Sequence, residues 1–185
     1  MSQLGVSAPI SVPLQTGDRV HPLFQSLEGT IQVFTSVQRN FFTNVMVQAL
    51  RAAGQGTPVL VVQFLKGGIQ QGPAYPVQLG QNLDWVRCGL AGCVHPEAVD
   101  AAAAAALNEL WLQTQARVMQ GQYALVVLDE LSLAVKLGLI AESSVLAFLR
   151  DRPAQVDVVL TGPEMPAAIL EMADQVTQLR RNFLI

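Results

Sequence analysis

Two carboxylates close an apolar run at Leu125-Val126-Val127-Leu128-Asp129-Glu130. Apolar residues followed directly by acids form the pattern of a Walker B strand, whose carboxylates reach Mg²⁺ directly or through water. The other reading of the same residues is a buried strand that ends at the sheet edge with two solvated acids. A nucleotide-binding α/β protein also carries a phosphate loop between its first strand and first helix. Such a loop, G-x-x-x-x-G-K-[ST], uses glycines at positive φ to turn several backbone N–H groups toward one anion. Its lysine meets the β and γ oxygens, and its hydroxyl meets the metal. At that place the chain reads Ser36-Val37-Gln38-Arg39-Asn40-Phe41-Phe42-Thr43, after the run Ile31-Gln32-Val33-Phe34-Thr35, with no glycine and no lysine.

A second cluster, Cys88, Cys93 and His95, has the spacing C-x4-C-x-H and could converge on one soft metal ion. A tetrahedral site wants a fourth ligand, and only Asp84 and Glu97 are near in sequence, so ordinary buried or partly exposed cysteines are the simpler reading. No Ser/His/Asp triad can be built, because His21 lies in an irregular N-terminal stretch and His95 directly precedes Pro96.

The elements that would position these residues alternate. Short β-rich runs at 30–35, 58–64, 83–88, 124–129, 156–161 and 175–179 are separated by helix-length segments, which predicts a mostly parallel sheet. Val59-Leu60-Val61-Val62 and Leu125-Val126-Val127-Leu128 are apolar at consecutive positions, as in strands covered by helices on both faces. The class is therefore α/β with three layers. The clearest helix begins at Pro96, has Glu97 and Asp100 in its first turn, continues through Ala101 to Ala106 and ends near Gly121, about 24 residues in all. Alanine has the best helix propensity and allows close packing, so its run is read as structural. Further helices are expected over 40–53, 143–150 and 166–173. Residues 1–28 scatter Pro, Gly, Ser and Gln without a period and are read as an arm, with one α/β domain over 29–185.

Of the 185 residues, 51% are hydrophobic and only 14% charged, with net charge -3. A charged fraction well below the usual quarter predicts that part of the surface is buried in a partner. The acidic balance and the lack of a basic cluster argue against nucleic acid as ligand. The longest apolar runs are too short for the roughly twenty residues of a bilayer span, and nothing reads as a secretory signal. With two cysteines there is no disulfide framework, and a reducing cytoplasm is the expected compartment.

Taken in order, several segments resemble the ATP:corrinoid adenosyltransferase family, from about Thr30 to Arg180. They include Val33-Phe34-Thr35, Arg51-Ala52-Ala53-Gly54-Gln55-Gly56, Val61-Val62-Gln63-Phe64-Leu65-Lys66-Gly67, Val127-Leu128-Asp129-Glu130-Leu131, Arg152-Pro153, Val159-Leu160-Thr161-Gly162 and Ile169-Leu170-Glu171-Met172-Ala173-Asp174. The resemblance implies a RecA-like P-loop NTPase fold, a homodimer, and a reaction in which Co(I) of a corrinoid attacks the 5′ carbon of ATP and triphosphate leaves. It places the nucleotide at Ser36, Gln38, Arg39, Asn40, Phe41, Phe42, Thr43 and Lys66, and Mg²⁺ at Asp129 and Glu130.

The departure lies in that loop. The family reads like G-N-G-K-G-K-T-T there, so Phe41 stands in place of the phosphate lysine and Phe42 in place of the metal-binding hydroxyl. Gly67-Gly68-Ile69-Gln70-Gln71-Gly72-Pro73 likewise departs from the family's G-x-W-x-x-G-E loop. Losing one preorganised donor to a developing anion costs about 2.7–4 kcal/mol, and here a lysine, a hydroxyl and several amides go together. Arg39 offers one charge without rebuilding the amide nest. The expected function is therefore a non-catalytic binding or regulatory protein linked to cobalamin metabolism, with a corrinoid or another protein as partner. The alternative is an active adenosyltransferase that holds ATP and Mg²⁺ through Arg39, Lys66, Asp129 and Glu130. Phe41 and Phe42 either fill the space left by the nucleotide or project outward as a partner site.

Overall fold

A computed structural model of the chain describes residues 28–68, 72–94 and 99–180. The arm expected over 1–28 therefore lies outside the described residues, apart from Glu28, as do Ile69, Gln70, Gln71, His95, Pro96 and Glu97.

Seven strands form one sheet: β1 (Ile31–Ser36), β2 (Val59–Gln63), β3 (Val77–Leu79), β4 (Leu83–Arg87), β5 (Leu125–Asp129), β6 (Asp157–Pro163) and β7 (Gln175–Leu179). Their spatial order is β3-β4-β2-β5-β6-β1-β7. Every pairing is parallel except β3 with β4. The helices are α1 (Thr43–Gly54), α2 (Ala101–Met119), α3 (Leu131–Lys136), α4 (Glu142–Asp151) and α5 (Ala167–Met172). Alternate side chains of β1, β2, β4, β5 and β6 feed two separate cores, as the period of a strand requires. Val33, Leu60, Val62, Val126, Leu128, Val158 and Leu160 pack toward α2, α3, α4 and α5. Phe34, Val59, Val61, Val127 and Val159 pack toward α1. The three-layer α/β architecture is as the apolar runs imply, with one face of the sheet covered chiefly by α1.

Strand β3 was not among the expected runs, and three helices differ from expectation. Helix α1 starts at Thr43 and not at Asn40; Phe42 keeps a non-helical backbone (φ -85, ψ 79) and no side chain caps the first turn. Helix α2 runs for 19 residues from Ala101. Asp100 does not sit in its first turn but precedes it as the cap, its carboxylate accepting the Ala103 N–H at 2.8 Å, which satisfies an otherwise orphaned donor. Helix α3 was not expected. It begins directly after β5 because Glu130 takes a left-handed backbone (φ 63) and turns the chain without an intervening loop. Gly162, at φ 142, lets α3 lie against β6, since a side chain there would strike Ser132.

Candidate functional site

The carboxyl ends of the parallel strands β1, β2, β4 and β5 meet at one edge of the sheet, where open α/β sheets bind ligands. Ser36, Gln63, Arg87 and Asp129 are the last or nearly last residues of these strands, with β1 ending at Ser36 and β5 at Asp129. Asp129 is fully buried, and its oxygens are engaged three times. Oδ1 accepts from the Thr161 hydroxyl at 2.6 Å, and Oδ2 accepts from Gln63 Nε2 at 2.8 Å and from Lys66 Nζ at 2.7 Å. Glu130, also buried, accepts from Arg39 on both oxygens, from Nε at 2.5 Å and Nη2 at 2.6 Å. This is the two-pronged geometry that makes arginine–carboxylate pairs strong. The hydrogen bond to Glu130 holds the Arg39 pKa above its ordinary value, outweighing partial burial. The left-handed backbone of Glu130 is steadied by its N–H, which donates to Thr161 Oγ1 at 3.2 Å.

The loop from Ser36 to Phe42 has an extended, turned course. The Ser36 hydroxyl donates to the Gln38 carbonyl at 2.6 Å. The two phenylalanines separate. Phe42 is 4% exposed and meets Phe34 edge-on at 6.3 Å within the core under α1. Phe41 is 47% exposed, and Lys66 Nζ lies 4.5 Å from its ring centre. Phe42 is thus packed inside the fold and Phe41 faces outward. Ser36, Gln38, Arg39 and Asn40 line a cleft of about 290 Å³ with Leu179 and Arg180. Thr43 opens α1 and is exposed.

A second cleft, of about 480 Å³, lies between Phe41 and Trp85 and is also lined by Arg39, Lys66, Arg87 and Glu130. Gln63, Trp85 and Arg87 were not among the expected site residues. The signal was present in Gln63, an amide inside the otherwise apolar run 59–65. It is buried, and its Oε1 accepts from Trp85 Nε1 at 3.0 Å and from Arg87 Nε at 2.9 Å.

The donor set at Asp129 and Glu130 does not suit Mg²⁺. The ion wants several free oxygens and keeps its waters, whereas both carboxylates already bind cations of the chain, and a divalent ion would meet the Lys66 and Arg39 charges at close range. Cys88 is buried, with its thiol against the Lys66 carbonyl at 3.1 Å, and burial pushes its pKa up; Cys93 is exposed. Among the described residues, no three His, Cys, Asp or Glu side chains come together as metal ligands. None of the described helices is long and apolar enough to cross a membrane.

Residues 28–182 match the family model for ATP:corrinoid adenosyltransferase BtuR/CobO/CobP. An uncharacterised protein of Nostoc sp. is 27% identical over 169 residues, covering 84% of this chain, which spans 45% of that protein's length. The corrinoid adenosyltransferase of Escherichia coli K12 is 31% identical over 157 residues, covering 84% of this chain and 79% of the enzyme. Corrinoid adenosyltransferase CobA of Salmonella typhimurium shows the same identity and coverage. With its parallel sheet and the acids that close β5, the chain belongs to the ATP:corrinoid adenosyltransferase family.

Proposed function

We propose that this chain is a non-catalytic member of its family, a binding or regulatory protein that acts in cobalamin metabolism. The observation that carries this reading is the self-pairing of the two acids, Asp129 with Lys66 and Glu130 with Arg39. A chain that neutralises both carboxylates with its own side chains has no need of the metal. The sequence of the loop supports the same reading, since Ser36 to Thr43 contains no glycine with which to build an anion nest. The description of the matching family brings ATP and a corrinoid to this chain as the ligands to test. Pairing with a second copy belongs to the proposal as well. Val47 and Leu50 stand half-exposed on the outward side of α1, where an apolar contact would cover them.

Titration calorimetry with ATP and Mg²⁺, repeated with a corrinoid present, tests the reading. Silence up to millimolar ATP is expected. A dissociation constant in the micromolar range would overturn it. It would favour the second reading, an enzyme with an altered ATP site, for which the convergence of Arg39, Lys66 and Glu130 on one cleft, with Asp129 buried beneath Lys66, speaks. On that reading ATP with Mg²⁺ raises the melting temperature and Asp129→Asn abolishes the rise.

A further inference from the structure

We propose that the cleft between Phe41 and Trp85 binds a small organic carboxylate with a flat apolar body, anchored by Arg87; the inference rests on the reading above that nucleotide does not occupy this edge of the sheet. Three cations line the cleft, and they are not equivalent. Arg39 and Lys66 are each spent on a buried acid. Among the described residues Arg87 makes no ion pair; only its Nε is engaged, by the neutral Gln63. The terminal nitrogens of its guanidinium, a planar fork that matches a carboxylate, are uncommitted among the described residues.

That fork is held in place from below. Gln63 is 1% exposed and donates to Asp129, so its oxygen must face Trp85 and Arg87. The reverse amide orientation would set donor against donor at both contacts. Trp85 and Arg87 are alternate residues of β4 on the same side of the strand, and the guanidinium carbon lies 5.9 Å from the indole centre. A buried amide thus orients an aromatic wall and a cation together, restricting the rotation of two half-buried side chains. The half-exposed Phe41 ring supplies a second aromatic surface. With one cation unpaired among the described residues, the cleft matches a single negative charge and not a triphosphate. At about 480 Å³ it lies within the range of small-ligand sites.

Naphthalene-2-carboxylate and its neutral analogue naphthalene-2-carboxamide test the proposal by titration calorimetry on the full chain. The acid is expected to bind at least about tenfold more tightly than the amide, as a charge-assisted pair requires. Arg87→Gln should lower the affinity for the acid by about tenfold and leave that for the amide unchanged, erasing the preference. Equal binding of acid and amide to the unaltered chain would overturn the proposal, and this comparison needs no variant to fold. A preference that survives in R87Q would overturn it too. Mg²⁺·ATP in a separate titration keeps the two readings apart. ATP binding alongside an intact acid preference removes the non-catalytic reading and leaves the carboxylate site; silence with ATP and no preference for the acid does the reverse.

Discussion

Truncating Phe42 removes a ring that meets Phe34 edge-on beneath α1, so F42A is expected to lower the unfolding free energy by about 3–5 kcal/mol in urea titration. F41A, at a half-exposed neighbour, should cost less than about 1 kcal/mol. Near-equal losses would show that both rings are packed. Asp129 and Glu130 were readable from the chain as acids closing an apolar strand, whereas Arg39 and Lys66 came into view only through the family resemblance. Their pairing was not readable. Arg39 and Glu130 are separated by 91 positions, and nothing local says that the arginine closes on that acid. Gln63 was readable only as an oddity in an apolar run; its role depends on β2 lying between β4 and β5, a fact of sheet order.

Elements with long apolar runs stand where the alternation of strands and helices puts them. The strands β1, β2, β4, β5, β6 and β7 begin or end within about two residues of the positions expected from pattern alone, the usual error at element ends. Strand β3 escaped because it has only three residues, two of them exposed. Helix α3 escaped because six residues give too little period to detect and no glycine or proline precedes them. A contact between elements yields a pH prediction. Tyr123, just before β5, donates to Asp84 of β4 at 2.5 Å. Burial first, and then the hydrogen bond to Asp84, push its pKa up to about 12. An exposed tyrosine ionises near pH 10, so the unfolded chain loses this proton first. The stabilisation from the neutral phenol is therefore complete below about pH 10 and lost as the pH rises toward about 12. The difference in urea midpoint between the unaltered chain and Y123F should shrink across that window. A constant difference would mean that the phenol proton plays no part.

At the scale of the whole molecule the two faces of the sheet are unequally clad. The helices α2, α3, α4 and α5 share one face, and α1 covers the other, leaving Val47 and Leu50 half-exposed on its outer side. If this face joins two copies, V47E/L50E should convert a dimer to a monomer in sedimentation velocity without lowering the melting temperature of the isolated subunit. Sedimentation of the unaltered chain as a monomer would sink the dimer. The thinness of this layer gives the loop 36–43 a weight beyond its length. Phe42 belongs at once to the loop and to the packing that seats α1, so the loop cannot be exchanged as a surface graft. Installing a glycine, a lysine and a hydroxyl at these positions would supply the parts of an anion nest and, in the same stroke, remove the ring on which the helix rests. An exchange of this loop therefore tests the seating of α1 as much as the binding of phosphate.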